Sequence, residues 1–537
     1  MNRYMSACLL CLFVACGEAE KTTLSLNVYP AEGTMHDSIL VDNSASFMEV
    51  VLSGGERPFV EQFPMTGSGG TFSDLPVGAG YKLTARGYQT SPDGTTSLVF
   101  YGGTTEFDVV DGQPIAMSIQ VGRSDCVGYN RPSIYRSADG KADLIDKRVG
   151  FGVSKLADGR VLITGGADLD ASGAILTVHD SVEIYDPTQG QFMSLLDGSG
   201  QPVRLSEPRA FHSATRLQNG TVLIAGGQST PAGGLAAGVT IFNPAGPIFE
   251  APINAAGFLP RKRHQAQRLN DGSVLVAGGE DVNEQALTSS FRYFPTDQSF
   301  RAQGDLAQAR RGHSLNAIER GAELAIAAGG INDSGLLRSI EVFTTNPAQT
   351  GCVGNAVPEP NFGCWISLGT TLELPAPVWG HASVSINDGS EVVILGGFTS
   401  RDRTQASNQV TVISSALNGA REAGVLALGG GELAVAEGSD GSTPFILVAG
   451  GRIGDAPQQR YVRLVRSDLN GVVQYTQEDL TQGCIQQGFP EARWAAQAIR
   501  LDNDTIVVLG GTNRSVRGFS STRRAEVYFP EHVPSSF

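Results

Sequence analysis

Charge and aromatic side chains are scarce in this chain of 537 residues: 17% is charged and 7% aromatic, whereas 67 residues are glycine. So little charge argues against a coiled coil or a disordered polar tail, and so much glycine fits turn-rich β structure. Positive charge is in deficit, with 39 Lys and Arg against 54 Asp and Glu and a formal net charge of -15. That balance argues against nucleic acid as a partner and for acidity as a source of solubility. The apolar run from Ala7 to Ala15, behind Arg3, is too short to span a bilayer and reads as a signal peptide over residues 1–15. Helical periodicity is also missing between the apolar segments that recur along the chain.

What is present is a repeat. VLITGG, VLIAGG, VLVAGG, AIAAGG, VVILGG, ILVAGG and IVVLGG are short apolar runs into Gly-Gly, their first glycines at 165, 226, 278, 329, 396, 450 and 510. A spacing of 51–67 residues means a repeat architecture built from one unit. Ahead of the Gly-Gly lies a second run that ends in a turn: FGVSKLADG, FHSATRLQNG, RHQAQRLNDG, GHSLNAIERG and GHASVSINDG, from Phe151, Phe211, Arg263, Gly312 and Gly380. Asp-Gly and Asn-Gly between β-rich runs are strong hairpin signals, because both central residues take positive φ. A third run ends in an aromatic, as in VEIYDP at Val182, TIFNP at Thr240, FRYFP at Phe291 and AEVYFP at Ala525. In the first three units a further aromatic follows, at Phe192, Phe249 and Phe300, and suits a fourth, outer strand. Four antiparallel strands per unit describe an all-β chain of propeller blades.

These residues resemble the kelch repeat, in which an Arg and His region precedes an apolar run into Gly-Gly, then a Tyr and a later Trp. The resemblance covers residues 126–537 and implies a seven-bladed kelch-like β-propeller. Units one to three carry Phe in place of the outer Trp, units five and six lack the third-strand aromatic, and unit four carries an insertion around CVGNAVPEPNFGC. The seventh unit has room for three strands, so PSIYRS, from Pro132, is expected to supply the fourth and remove an open edge.

LFVAC, ending at Cys16, resembles a bacterial lipobox, which implies lipidation of Cys16, a tether over 16–21, and a lipid anchor in the membrane. Gly17 differs from the Asp that retains lipoproteins at an inner membrane, so the outer membrane of a bacterial envelope is the expected address. Cys126, Cys352, Cys364 and Cys484 then remain, and an even number in an oxidising compartment suggests two disulfides. Of three connectivities we favour Cys352 with Cys364, a local staple, and Cys126 with Cys484, which would lock the ring where it closes. Residues 22–123 alternate apolar and polar positions between Gly and Asp turns, the pattern of a small antiparallel β-sandwich. The stretch FSDLPVGAGYKLTARGY within them resembles Ig-like or prealbumin-like modules, and a spacer role is expected for this domain.

Two sets of side chains stand in register. His212, His264, His313 and His381 share one position, with Phe151, Ala423 and Ala496 there in other units. Spread over successive blades they need not converge on one ion, so a packing role is favoured, with no metal and no cofactor. Three residues earlier stand Arg148, Arg209, Arg261, Arg310 and Arg493, with Arg421 one residue out of register and Val378 the exception. Such guanidinium groups would offer bidentate donors to carboxylate or phosphate at one mouth of the channel, or would pair with backbone and acids of adjacent blades. The reading is a monomeric, lipid-anchored binding or scaffold protein that recognises an envelope protein or a glycan. A carbohydrate-active enzyme with its site in the channel, like the sugar mutarotases or the oxidases of this fold, is the alternative.

Overall fold

The computed structural model of the chain describes residues 22–30, 47–123, 126–129 and 143–530, apart from short stretches within those bounds, the longest being 481–490. The signal segment, Cys16, PSIYRS and Cys484 lie outside the described residues.

The chain is all-β, with helical turns as short as the 3-10 turns Val353–Asn355 and Gly369–Thr371. Seven four-stranded antiparallel sheets follow one another. The first orders Gly152–Lys155, Val161–Thr164, Val182–Asp186 and Gln191–Ser194. The Asp-Gly turn between its first two strands puts Gly159 at φ 80°, as expected for a tight hairpin. Tyr185 then sits opposite Phe192, ring centroids 4.7 Å apart, and the pairs Phe242 with Phe249 (5.3 Å) and Tyr293 with Phe300 (5.1 Å) repeat this. The fourth sheet does the same with Phe343 and Trp365 at 5.3 Å, its insertion falling between the third and fourth strands.

Second strands such as Val161–Thr164 are buried at every position, and the packing gives the reason. Val161 and Ile163 point into a cluster shared with Val507 and Leu509 of the seventh sheet, whereas Leu162 joins Val222 and Ile224 of the second. Each sheet is covered on both faces, so an unbroken apolar run replaces the alternation of a half-solvated strand. Similar clusters join the second sheet to the third, and so on through the sixth to the seventh. The seven interfaces form a closed cycle.

The Gly-Gly pairs stitch that cycle. In every unit the second glycine donates its N–H to a backbone carbonyl of the following sheet, from Gly166 to Arg209 (2.9 Å) through Gly511 to Arg148 (3.1 Å). The first glycine, at φ 56–65°, lies where a Cβ would strike that same carbonyl. Glycine is therefore required both for its left-handed backbone and for the close approach.

The last sheet orders Gln497–Arg500, Ile506–Leu509, Ala525–Phe529 and Cys126–Tyr129, with Phe529 opposite Cys126 and Glu526 opposite Tyr129. The donated fourth strand is thus CVGY and not PSIYRS. Cys126 takes part through its backbone, and its proposed bridge to Cys484 falls outside the described residues. The other bridge is present: Cys352 and Cys364 are joined, with Cα atoms 5.6 Å apart across the insertion of the fourth sheet. Replacing both by serine is expected to lower stability by about 3 kcal/mol on the chain-entropy estimate. Urea unfolding reads this, and unchanged midpoints would mean that the insertion is ordered without its staple.

The described residues between 22 and 123 form one hydrogen-bonded sheet of eight strands, and not a wholly antiparallel one: Thr22–Pro30 runs parallel to Ile115–Arg123. Its core, with Leu24, Phe72, Val50 and Leu83, draws on strands from both ends of the sheet order, so the sheet folds back upon itself. Among the described residues the strand pairs that link the two halves through that edge are Phe100 with Arg123 and Tyr101 with Gly122. The domain also touches the seventh sheet. Asn503 donates through Nδ2 to the Gly103 carbonyl (2.9 Å), and the Phe529 ring occupies the space a side chain at Gly122 would fill.

Candidate functional site

Arg148, Arg209, Arg261, Arg310 and Arg493, expected at a channel mouth, are all fully buried. Each donates to the carbonyl of the first glycine in its own sheet, at 2.9–3.0 Å for Arg209, Arg261, Arg310 and Arg493. Three also meet a buried third-strand glutamate: Arg148 with Glu183, Arg310 with Glu341, and Arg493 with Glu526 at 2.6 Å. In the third sheet Phe291 takes the glutamate's place, and the Arg261 guanidinium lies 4.6 Å from its ring centroid. Burial pushes the Arg261 pKa down to about 10. The arginines anchor the Gly-Gly turns from inside, and their side chains are closed to a partner by burial. A ring of charge read from spacing alone carried no sign of this inward direction.

The hydrogen-bond pattern also corrects the sixth unit. The carbonyl that receives the Gly397 N–H is that of Gly430, so Gly430 and Leu433 hold the Arg and His positions there. Arg421 and Ala423 belong to the outer strand Ala420–Val425 of the fifth sheet, where Arg421 donates to the Val473 carbonyl (2.8 Å).

The histidines pack between sheets. His212 Nε2 shares a hydrogen bond with Thr164 Oγ1 (2.9 Å) and His264 Nε2 with Ser213 Oγ (3.0 Å), each on the preceding sheet. Burial, followed by the neighbouring arginine, pushes the pKa of His264 down to about 3 and of His381 to about 4, with His212 and His313 held well below the usual value. Among the described residues no three His, Cys, Asp or Glu are grouped to hold a metal.

Between each buried arginine position and each histidine position stands a residue with left-handed backbone: Gly150, Phe211, Arg263, Gly312, Gly380, Glu432 and Ala495, at φ 52–63°. Several are chained by hydrogen bonds from sheet to sheet, as Phe211 N–H to Gly150 (2.6 Å), Arg263 to Phe211 (3.0 Å) and Glu432 to Gly380 (2.7 Å). Phe, Arg and Glu are costly there, and such strain clusters at functional sites. The side chains of Phe211, Arg263 and Glu432 line a cavity of about 940 Å³ to which the first strands or their leading turns contribute from all seven sheets.

Hairpins that follow each Gly-Gly form a collar around this cavity. In the first sheet the hairpin is Ala167–Leu169 with Ile175–Val178, and in the seventh Thr512–Ser515 with Gly518–Ser521. They are tied to one another by Phe519 N–H to the Ala171 carbonyl (3.1 Å), Arg514 to Asp455 (3.1 Å) and Gly454 N–H to the Arg403 carbonyl (2.7 Å), while Arg311, from the turn that leads into the fourth sheet, holds Glu280 of the third (2.6 Å). Two arginines of the wall lie over tryptophan rings, Arg403 on Trp379 at 5.0 Å and Arg452 on Trp494 at 4.9 Å. Sequence reasoning passed over these residues because the hairpins vary from unit to unit, and only the left-handed positions within the repeat mark them.

No family model matches the sequence, and no curated protein matches it. Among solved structures the chain is similar to one titled "Structure of YjhT", at 12% identity over 62% of this chain and 99% of that one, with a TM-score of 0.42. A likeness of that size says nothing about function.

Proposed function

We propose that this chain is a kelch-like seven-bladed propeller of the bacterial envelope, anchored by lipid at Cys16, that acts as a binding module and takes its ligand in the collar cavity. The observation that carries this is the cavity itself: about 940 Å³, at the upper end of the range of ligand pockets, and lined by Phe211, Arg263 and Glu432 in left-handed conformations. Binding, as distinct from turnover, is favoured because the wall carboxylates Glu280 and Glu432 are already held by Arg311 and Arg452. The five buried arginines support the scaffold and not the recognition surface. An envelope-protein pull-down and a glycan array, run on the purified chain and on an Arg403→Glu/Phe519→Ser variant, test the reading. A partner captured by the wild type is expected to be lost in the variant. Capture that is unchanged in the variant would move recognition to another face.

A further inference from the structure

We propose that the collar binds a carboxylate carried on an apolar body, the carboxylate meeting Arg403 and the apolar part lying against Phe519, Ile175 and Phe211. This rests on the collar being the binding site and adds the chemistry of what enters it.

The cavity wall divides into two arcs. One, from the seventh, first and second sheets, presents Trp494, Phe519, Leu169, Ile175 and Phe211. The other, from the third to the sixth, is charged. Within it Glu280 is met by Arg311 (2.6 Å), Arg263 (3.5 Å) and Lys262 (3.7 Å), and Lys262 also reaches Glu284 (3.8 Å). Glu432 is held by two hydrogen bonds from Arg452 (2.8 and 3.1 Å), and Asp455 by Arg514. Every one of these carboxylates therefore has a cation, which argues against a cationic ligand.

Arg403 is left over. Among the described residues no carboxylate lies within ion-pair distance of it, and its Nε is buried without a hydrogen-bond partner. Four cations, Arg263, Arg311, Arg403 and Arg452, line the cavity with four carboxylates, Glu280, Glu284, Glu432 and Asp455, and because Lys262 and Arg514 also reach those carboxylates from outside the lining, Arg403 is the wall cation with no carboxylate at ion-pair distance. Its position is fixed in advance: the guanidinium is stacked on Trp379, its backbone stands at φ 66°, and its carbonyl accepts the Gly454 N–H. A stacked guanidinium offers its edge N–H groups in the plane a carboxylate uses. Burial is the largest influence and lowers the Arg403 pKa; Glu432 opposes it, Arg452 and Arg263 add to it, and Asp455 opposes it weakly. A wholly polar anion would satisfy Arg403 and leave the opposite aromatic arc facing polar groups, whereas an apolar body covers it and gains from the desolvation.

A free aryl or alkyl acid and the C-terminus of a peptide ending in an apolar residue both carry this chemistry, and the test separates them. Ligand-observed NMR and calorimetry on the whole chain would compare 4-phenylbutyrate, the tripeptide Gly-Gly-Phe, the primary amide of each, and glucuronate. The acids are expected to bind roughly tenfold or more tighter than their amides, the loss for one charged hydrogen-bonded contact. Arg403→Gln is expected to bring the acids to the level of the amides and leave the amides unchanged. Phe519→Ser is expected to weaken acids and amides alike. The tighter of the two acids identifies the source. Equal binding of acid and amide, or glucuronate binding as well as phenylbutyrate, overturns the ligand class while leaving the collar as the site if Phe519→Ser still weakens binding. Binding indifferent to both substitutions overturns the site as well, and no binding of any probe at millimolar concentration overturns the ligand class.

Discussion

Glu341→Ala is expected to destabilise the chain by about 3–5 kcal/mol, the usual cost of stranding one member of a buried ion pair. Arg310 and Glu341 are both essentially inaccessible, and once the carboxylate is gone Arg310 keeps no charged partner, just its bonds to the carbonyls of Gly329 (2.9 Å), Ser339 (3.2 Å) and Gln308 (3.4 Å) and to Ser339 Oγ (3.1 Å). The glutamate also accepts the N–H groups of Ala307 (2.6 Å) and Gln308 (3.2 Å), so the turn that leads into the fourth sheet loses its anchor as well. The fold supplies its own control. In the fifth sheet Val378 stands where Arg310 does and Thr411 where Glu341 does, and that sheet pairs and packs as the others do. The double change Arg310→Val/Glu341→Thr is therefore expected to recover much of the loss. Urea unfolding of the three proteins measures this; a Glu341→Ala midpoint within about 1 kcal/mol of wild type would mean that water or rearrangement relieves the stranded cation.

Acid is expected to unfold the chain from near pH 6.5 downwards, well before its carboxylates titrate. The four inter-sheet histidines have folded pKa values below their unfolded value of about 6.5, with His264 at about 3 and His381 at about 4. Their contribution is complete above pH 6.5. As pH falls from there towards 4, the unfolded chain takes up protons that the folded chain refuses, and stability drops by about 1.4 kcal/mol per pH unit for each shielded ring. His381 is partly exposed, and solvent reduces its share. The hairpin carboxylates Asp170, Asp197, Asp297 and Asp402, held low first by hydrogen bonds from neighbouring serine side chains, add their loss only below pH 3.8. Urea midpoints at pH 7.5, 6.0 and 5.0 test the window. His313→Leu, which copies Leu433 of the sixth sheet, is expected to flatten the slope by one histidine's share; midpoints that do not move between pH 7.5 and 5.0 would show that the rings protonate in place.

The repeat was legible because its glycines answer to backbone geometry: a left-handed turn beneath a neighbour's carbonyl admits nothing else, so all seven copies keep the pair. The aromatic pairs were legible for the same reason, since cross-strand register fixes their spacing. The buried arginines misled because a guanidinium read along the sequence suggests solvent, and nothing in one unit announces that its acid sits thirty-odd residues later on the third strand. Unit six slipped because Gly430 and Leu433 carry neither side chain by which the register was read. CVGY was overlooked in favour of the more strand-like PSIYRS, and the collar because pairing between hairpins of different units leaves no local pattern.

The strand that completes the last sheet also sets a timetable. Cys126–Tyr129 leaves the ribosome long before Ala525–Phe529, its only partner in that sheet, and through all of that interval its edge waits unpaired. The earlier sheets can pair as they emerge, each against the one before. The final joint forms by bringing together stretches about 400 residues apart in the chain, a slow kind of closure. A chain halted anywhere before residue 525 would thus be an open arc with two exposed edges, and the N-terminal domain, whose contacts include Asn503 and Phe529, would have its docking surface only once synthesis was nearly over.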